Sequence, residues 1–460
     1  MSKNIAFSAY GLNDIVKGSR FISSYRSLLD NMRMSADEMV HYSNLKLQGI
    51  IKYAYENTPY YRRILDERNL KPGDIRCAED LQLLPILTKR IIRRHFDELQ
   101  PSRLPPDSYF RITSGTTGEP MKFLITLEAC NWRDAAKLRG RNWTGFTLGT
   151  STILLVGSTF DYDKFYTLGG RLRRWINREK VLNTHMLNDE ICRDYIDIIR
   201  RTAPKTLNGY VNSLYCIAKY CLEHGVEDLR FDFVFPEAET LMDFQRKTIE
   251  KAFNCRVIDH YATRETSLVS HECPHNGGYH VSIDNGVIEI VRDGRWVQPG
   301  ELGNVLVTDF HNRAMPFIRY QIEDVAVRGE GPCSCSRPLP TIKSIEGRMI
   351  NLITLENGRI VHPFYAIYLF YPDPEGNVVK EDIDLQGILK YQVIQESYTE
   401  FRIKLVLKQG DQLGKYKYIV ENYKRYFGPR THVELESVPE IPAGPSGKQQ
   451  LIISKVSPDI

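Results

Sequence analysis

A run of small polar residues near position 115 is the first feature of this sequence whose residue types suggest chemistry. Within RITSGTTGEP (111–120) the run consists of Thr113, Ser114, Gly115, Thr116, Thr117 and Gly118. None of these side chains can fill a core, but the run offers backbone N–H groups, hydroxyls and glycine dihedrals, which can surround an anion such as a phosphate. The flanking SYFRI and MKFLITL predict strands, and Lys122 adds a positive charge. A Gly-Lys-Ser/Thr sequence entering a helix is absent, so a Walker-type loop is excluded. A phosphate-binding loop and an ordinary polar turn both fit the pattern.

Two histidines later in the chain carry a second possible chemistry. His271 and His275 in HECPHNGGYH (271–280) spell His-Glu-x-x-His, the signature of zinc proteases. That chemistry requires both histidines on one face of a helix, but Pro274 lies inside the motif and an Asn-Gly-Gly run follows it. We therefore expect both histidines at the surface rather than in a zinc metallohydrolase, with His271 as a reserve metal ligand.

A different set of residues fits a structural metal site better. Cys273 and His280 precede Cys333 and Cys335, and together they offer three thiolates and one imidazole. Cys₃His is a common donor set of closed, tetrahedral zinc sites. The Cys-x-Cys spacing is tighter than the familiar two-residue gap, so unliganded cysteines in a packed loop are the alternative. The pattern predicts a structural zinc ion that joins two loops and has no open position for catalysis.

Composition excludes several classes of protein. Of 460 residues 42% are hydrophobic, which is ample for large cores and unlike a disordered chain. The net charge of +4 is too small to indicate a nucleic-acid partner. The N-terminus lacks the apolar segment of a signal peptide, and no apolar run is long enough to span a membrane. Nine cysteines, an odd number over a long chain, do not form a disulfide pattern, so a cytoplasmic location is expected.

The periodicity of apolar residues predicts an α/β protein with two domains. Residues 1–100 are predicted to be helical, with one helical pattern ending at Pro59. From about 105 to 345, short strands such as STILLVGS and CRVIDHYA alternate with helices such as SLYCIAKYCLEHG, which is typical of α/β architecture. After about 347 the pattern changes to a smaller β/α unit. We predict a large multi-sheet α/β domain over 1–347 and a small α/β domain over 348–460, divided near EGRMINLI.

The polar loop and four later motifs resemble those of the adenylate-forming superfamily, which includes acyl-CoA synthetases and luciferases. TSGTTGEP resembles its phosphate-binding signature, HYATRE (260–265) its Tyr-Gly-x-Thr-Glu motif, and RYQIED (319–324) its Arg-Tyr-x-x-Gly-Asp motif. EGRMINLI (346–353) resembles its hinge motif, and PSGKQQ (445–450) its C-terminal Gly-Lys motif. YENTPYYRRILDE (55–67) extends the resemblance to the branch of phenylacetate–CoA ligase and CapK-like proteins. Several members of that branch carry a similar Cys and His pattern, which supports zinc.

The resemblance implies a reaction in two halves. A carboxylate attacks the α-phosphorus of ATP to give an acyl adenylate and pyrophosphate, and a thiol or an amine then displaces AMP. By resemblance, Ser114 to Gly118 hold the β- and γ-phosphates, Glu265 holds Mg²⁺, Asp324 accepts the ribose hydroxyls, and Lys448 bridges the carboxylate and the α-phosphate. Arg348 in the hinge motif is a further catalytic candidate. The remaining predicted ATP-binding residues are Thr113, Lys122, Glu239, Asp259, His260, Tyr261, Ala262, Thr263 and Arg264.

The resemblance also implies a class of substrate and a moving C-terminal domain. The acid pocket is expected between residues 207–214, 235–239 and 259–262, and an aryl or small acyl acid is expected there. CoA is the implied acceptor, and an amine or a carrier protein in polysaccharide or secondary-metabolite biosynthesis is the alternative. The C-terminal domain is expected to rotate as a lid about the hinge. The chain departs from the superfamily at four positions, where Ala262, Arg264, Glu323 and Asn351 replace the usual Gly, Thr, Gly and hinge Asp.

Overall fold

The structure, a computed structural model, describes most of the chain. The described residues are 2–17, 19–112, 121–156, 167–184, 187, 189–275, 278–348, 353–356, 360–361, 366, 369–370, 387–442 and 451–456. They belong to two compact units. The larger comprises Met1–Arg111, Lys122–Ile322 and Ala326–Ile345, and the smaller comprises Ile112–Met121, Glu323–Val325 and Glu346–Ile460. Within the described residues, every helix is too short or too polar to span a bilayer.

The first hundred residues are helical, as predicted. The helices are α1 (Ser2–Lys17), α2 (Phe21–Asn31), α3 (Ala36–Asn57), α4 (Pro59–Glu67) and α5 (Lys89–Arg94). Ser35 starts α3 with a capping box, because its Oγ accepts from the Glu38 N–H at 3.2 Å while the Glu38 carboxylate accepts from the Ser35 N–H at 2.7 Å. Pro59 ends the helical pattern and also begins α4, since proline has no N–H to lose at the first helical position.

A two-stranded pair and a helix follow. β1 (Ser108–Ile112) and β2 (Lys122–Thr126) pair on either side of the polar loop, as the sequence predicted, and α6 (Leu127–Asn142) begins directly after β2. The Thr126 hydroxyl caps α6 by accepting from the Ala129 N–H at 3.1 Å. Farther along α6, the buried Arg139 donates to both carboxylate oxygens of the buried Asp284, at 2.6 and 3.1 Å.

The larger unit contains a five-stranded parallel sheet. Its strands run in the order β4-β3-β5-β6-β7 and every neighbouring pair is parallel. The bounds are β3 Thr152–Val156, α7 Leu168–Asn177, β4 Glu179–Asn183, α8 Asp189–Thr202, β5 Thr206–Tyr210, α9 Val211–Glu223, β6 Phe233–Glu237, α10 Asp243–Phe253 and β7 Arg256–Val257. Apolar strand residues such as Ile153, Leu207 and Val234 are fully buried against the helices. This burial on both faces explains their continuous apolar runs.

A second sheet of the described chain joins eight strands in the order β12-β11-β13-β14-β15-β10-β9-β8. The bounds are β8 His260–Ala262, β9 Val269–Glu272, β10 Tyr279–Val281, β11 Gly286–Arg292, β12 Arg295–Trp296, β13 Leu302–Asp309, β14 Tyr320–Arg328 and β15 Thr341–Arg348. A buried ion pair supports this sheet, because Arg319 Nε donates to Glu289 Oε1 at 3.1 Å. Arg319 also donates to the Leu84 carbonyl at 2.7 Å, which ties the N-terminal helical segment to the sheet.

The prediction of one strand over CRVIDHYA (255–262) is wrong. β7 ends the parallel sheet and β8 begins at the edge of the second sheet. At the junction, the Ile258 N–H donates to Val234 in the parallel sheet, whereas the Asp259 N–H donates to the Glu272 carboxylate at 2.7 Å. The chain therefore changes sheets between residues 258 and 259, which an apolar pattern alone does not indicate.

The smaller unit has a sheet and a helix after residue 347, as predicted. The described elements are β16 Ile353–Thr354, β17 Ile360–Val361, β18 Ile388–Gln395, β19 Glu400–Leu407, α11 Lys417–Phe427, β20 His432–Ser437 and β21 Ile452–Ser454. Four of the strands form a sheet in the order β20-β19-β18-β21. Phe401, Ile403 and Leu405 alternate onto one face of β19 and pack with Ile419 and Tyr423 of α11. The predicted α/β class is confirmed in both units.

Candidate functional site

The predicted acid- and adenine-binding segments meet at the carboxyl ends of two parallel strands. β5 ends at Tyr210, directly before α9, and β6 ends at Glu237. Tyr210 and Glu237 are partners across the two strands. In open α/β sheets, ligands bind in the crevice outside this edge. The edge is therefore the candidate functional site of the larger unit.

Glu239 is fixed at the start of α9. Its Oε2 accepts from the Asn212 N–H at 2.9 Å, where a carboxylate is favoured by the free N–H groups of the first helical turn. The preceding Ala238 has φ of +63°, a left-handed conformation that costs an alanine roughly 1–2 kcal/mol. Strained backbone of this kind concentrates at functional sites, where the surrounding structure holds it.

Asp259 lies in a polar network behind this edge. Its Oδ2 accepts from the Tyr279 hydroxyl at 2.7 Å, and Glu272, which accepts the Asp259 N–H, also accepts from Arg246 at 3.0 Å. Burial raises the pKa of Asp259 to about 6, with the nearby Glu272 charge adding to the rise. The Asp259 carboxylate is thus held by hydrogen bonds, while its burial favours the neutral form.

The residues from 260 to 265 lie at the edge of the second sheet. His260, Tyr261 and Ala262 form β8, and Thr263 Oγ1 lies 3.1 Å from Thr266 Oγ1. The Arg264 carbonyl accepts from Arg133 of α6 at 3.5 Å. Glu265, the predicted Mg²⁺ ligand, is buried just after β8.

Two further predicted positions are described separately. The Lys122 ammonium lies 3.9 Å from the centre of the Phe110 ring, a cation–π contact across β1 and β2. Asp324 is a buried residue of β14. Its neighbour Glu323 has φ of +69°, so the position at which the superfamily has glycine also requires left-handed backbone here.

Several predicted residues lie outside the described part of the chain. These are the polar loop from Thr113 to Gly118, the hinge residue Asn351 and the catalytic candidate Lys448. Arg348 is the last residue of β15, and only its backbone is described.

The surface prediction for His271 is wrong, and the one for His275 is right. His271 is 2% exposed and lies in strand β9, whereas His275 is exposed in the turn that follows. Because a strand and a turn replace the required helix, the two side chains do not share a helical face. The zinc metallohydrolase alternative thus has no support in this geometry.

The structure brings the predicted Cys₃His residues together. The ligand atoms of Cys273, His280, Cys333 and Cys335 all lie within 4.8 Å of one another. Cys273 Sγ lies 3.6 Å from Cys333 Sγ, and His280 Nε2 lies 3.1 Å from Cys335 Sγ. With Zn–S bonds of about 2.3 Å, tetrahedral ligand atoms stand roughly 3.5–3.8 Å apart; the Cys273–Cys333 distance lies in this range, and the His280–Cys335 distance is shorter. His280 Nδ1 lies 2.9 Å from the Leu339 carbonyl, which fixes the tautomer that presents Nε2 to a metal.

A row of three histidines connects this cluster with the candidate site. His280, His271 and His260 are direct partners across β10, β9 and β8. The His260 and His271 rings stack with centres 5.3 Å apart, and Trp143 packs edge-on against both His271 and His280. Helix α6 approaches the row so closely that a Cβ on Gly140 would lie 2.0 Å from His271 Cδ2. This close packing explains why His271 is buried.

Three charged residues of the site were not singled out from the sequence, although Glu237 lies in the predicted pocket segment 235–239. Lys137 Nζ lies 2.6 Å from both carboxylate oxygens of Glu237, and Arg141 Nη2 lies 2.6 Å from Glu237 Oε1. The available signal was the spacing of Lys137 and Arg141, four residues apart on one face of α6. Glu237 stands two residues before Glu239, but its partners on α6 are 100 and 96 positions away.

The arrangement of sheets matches that of a solved ligase. A crystal structure of 2-hydroxyisobutyryl-CoA ligase, in the postadenylation state and in complex with R3-HIB-AMP, matches with a TM-score of 0.68. The match covers 92% of this chain and 91% of that chain at 17% sequence identity, which shows the fold. The fold is that of the adenylate-forming ligases.

Comparison of sequences identifies relatives of the chain in addition to this match in fold. Protein CapK of Staphylococcus aureus is 26% identical over 450 residues, which cover 95% of this chain and 94% of that protein. Phenylacetate-coenzyme A ligase of Pseudomonas putida is 25% identical, covering 90% of this chain and 93% of that protein. The family model of the CapK C-terminal domain matches residues 377–455. The chain is a homologue of CapK and of the phenylacetate–CoA ligases, which confirms the resemblance inferred from its motifs.

Proposed function

We propose that this chain is an AMP-forming ligase that activates an aryl or small acyl carboxylic acid and transfers it to CoA. The observation that carries the proposal is homology to phenylacetate–CoA ligases over nine-tenths of the chain. In the first half-reaction a carboxylate oxygen bonds to the α-phosphorus of ATP and the bond to pyrophosphate breaks. In the second, the thiol sulfur bonds to the acyl carbon and AMP leaves.

The nucleotide roles are assigned to this chain's own residues. Glu265 is proposed to hold Mg²⁺, since a carboxylate oxygen suits a hard cation bound to phosphates. Asp324 is proposed to accept the ribose hydroxyls, and Glu239 and Asp259 to line the adenine. The loop from Thr113 to Gly118 is proposed to bind the phosphates through its N–H groups and hydroxyls.

Residues 348–460 are proposed to act as a lid that carries Lys448. The proposed division near residue 347 lies beside Glu346, where the main segment of the smaller unit begins. Rotation about a hinge at Asn351 would change the groups facing the acyl adenylate between the two half-reactions. Asparagine tolerates unusual backbone angles better than most residues, which suits a hinge.

The first experiment is pyrophosphate release from ATP across a panel of aryl, small acyl, fatty and amino acids, with and without CoA. We expect acid-dependent release, and we expect CoA to increase turnover and yield a thioester. An adenylate that CoA leaves unchanged would assign the acceptor to the alternative class, an amine or a carrier protein. No release with any acid would contradict the proposed function.

The Cys₃His cluster is proposed to hold a structural zinc ion. Cys273, Cys333 and Cys335 would supply thiolates and His280 its Nε2, and four protein ligands close a tetrahedral site. The ion would join the β9–β10 segment to the loop before β15. The histidine row runs from this cluster to the candidate site, and the ion is proposed to take no part in the reaction.

Replacing Cys335 with serine is expected to remove the metal and destabilise the larger unit. Bound zinc should fall from one to about zero per chain, and the midpoint of thermal unfolding should fall by about 5 °C or more, because metal binding contributes directly to folding free energy. Elemental analysis and thermal unfolding measure the two effects. Cys216→Ser is the matched control, since Cys216 is exposed and lies outside the cluster. Purified protein without zinc, unchanged in stability when zinc is added, would contradict the proposal.

A further inference from the structure

The three segments predicted to form the acid pocket converge on one cluster of charged side chains. Asn208 of β5, Glu237 of β6 and His260 of β8 come from the three segments, and Lys137 and Arg141 face them from α6. Arg141 Nη1 donates to Asn208 at 3.0 Å in the amide orientation that satisfies both groups of Asn208. His260 Nε2 lies 3.7 Å from Glu237 Oε2. The acid-binding edge is therefore polar at the place where a phenyl-binding pocket would be apolar.

The charges in this cluster do not balance. Lys137 and Arg141 are two cations facing a single carboxylate, Glu237. Burial, followed by the Lys137 charge, lowers the pKa of His260 to about 3, so this ring adds no charge at neutral pH. Two further carboxylates are bonded elsewhere, because Asp134 pairs with Arg133 at 3.3 Å and Glu179 accepts from Asn177 at 3.1 Å, although the Asp134 charge also acts on Lys137 and the Glu179 charge on Arg141. Counted over Lys137, Arg141 and Glu237 within the described part of the chain, the cluster holds one excess positive charge.

Part of this charge is accessible to a ligand. The Lys137 and Glu237 side chains are 26% and 27% exposed, while that of Arg141 is 11% exposed. Burial is nonetheless the largest influence on the pKa of Lys137, which it lowers. The Lys137 ammonium is thus partly desolvated and partly exposed. Among the described residues, Lys137 donates two hydrogen bonds, both to Glu237, and an ammonium has three N–H groups.

Arg141 is held rigidly behind Lys137. Its guanidinium lies 4.8 Å from the centre of the Phe235 ring and 5.7 Å from that of Phe146. Because Glu237 and Asn208 accept hydrogen bonds from its two terminal nitrogens, the Arg141 guanidinium has little freedom to change position. These contacts hold the Arg141 charge in place beside Glu237.

Building on the proposed function, we propose that the acid activated by this chain carries a second anionic group, which binds at Lys137 and Arg141 beside Glu237. The substrate class is then a dicarboxylic or similarly charged acid rather than a plain aryl or aliphatic acid. A second carboxylate would neutralise the excess charge and accept the remaining N–H of Lys137. An ammonium group would face two cations and only one carboxylate already bonded to both.

The test compares acids that differ only in their terminal group. The aliphatic series is succinate, butyrate and β-alanine, which share one spacer and end in a carboxylate, a methyl group and an ammonium. The aromatic series is carboxyphenylacetate, phenylacetate and aminomethylphenylacetate. In the series with the higher rates, we expect kcat/KM for pyrophosphate release to be at least about tenfold higher for the anionic acid than for the neutral acid. A tenfold difference corresponds to one modest charge interaction of about 1.4 kcal/mol. The ammonium member should be the poorest.

Two variants should move this ratio in opposite directions. Lys137→Met should lower the ratio of kcat/KM for the anionic acid to kcat/KM for the neutral acid about tenfold. Glu237→Gln should raise this ratio, because the variant leaves both cations without their carboxylate. Lys137→Arg should restore the preference, and Lys219→Met, at an exposed lysine of α9, should leave it unchanged. This inference is overturned if the wild type prefers the neutral acid and neither variant changes the ratio. That result would leave the ligase proposal standing. Absence of release with every acid overturns the ligase proposal and this inference with it.

Discussion

Replacing Lys448 with alanine is expected to lower acid-dependent pyrophosphate release by roughly 10²–10³-fold, the scale for losing a charge placed to stabilise a transition state. The first half-reaction brings together two anions, the carboxylate and the triphosphate. A positive charge between them stabilises the transition state more than the separated substrates, so the loss should fall on kcat more than on the KM for ATP. Initial rates at saturating ATP and acid measure it.

The control for this variant lies a few residues away. Lys455→Ala removes a lysine that follows β21 and pairs with Glu396, and it should change the rate less than about twofold. Thioester formation from a supplied acyl adenylate separates the half-reactions further, because Lys448→Ala should retain most of that rate. A loss of less than about tenfold in pyrophosphate release would remove Lys448 from its assigned role.

Replacing Asp284 with alanine is expected to lower the free energy of unfolding by about 3–5 kcal/mol, since it leaves a buried arginine without its counter-charge. Arg139 and Asp284 are 1% and 0% exposed, and two hydrogen bonds join them. Asn31 of α2 also donates to Asp284 at 3.1 Å, so the pair ties α2, α6 and the segment before β11 together. Urea unfolding followed by tryptophan fluorescence is a suitable measurement, because Trp132 and Trp143 stand on and just after α6.

A double variant separates the pair's net contribution from the cost of an isolated charge. Arg139→Met with Asp284→Leu removes both charges while keeping volume, and it should recover most of the loss. Single and double variants of equal stability would show that the effect comes from packing rather than from the unpaired charge. A single variant within about 1 kcal/mol of the wild type would contradict the prediction.

Much of the fold was predictable because it depends on local patterns. α3 was visible from its apolar spacing, β3 from the short apolar run STILLVGS, and α9 from its amphipathic pattern. The exchange of sheets at Asp259 was not visible, since it depends on the carboxylate of Glu272, thirteen positions later, accepting a backbone N–H. His271 was misplaced for a similar reason, because its burial depends on α6 and on neighbouring strands.

In the candidate site, too, some residues could be predicted from local sequence and others could not. Cys273, His280, Cys333 and Cys335 were found because their residue types alone suggest a metal. Lys137, Arg141 and Glu237 are common surface residues, and only the parallel pairing of β5 and β6 beside α6 shows that they face one another. Glu323 was recognised as a departure from the superfamily, but its positive φ could be known only from the structure.

The contact between Gly140 and His271 limits how this sequence can evolve. Any side chain at 140 would overlap the imidazole, since the first added carbon would already lie 2.0 Å from its Cδ2. Replacement of Gly140 alone should therefore not be tolerated, whereas the same replacement should be tolerated once a smaller residue stands at position 271. The two positions should covary among descendants of this chain, and alanine at both should be tolerated better than Gly140→Ala by itself.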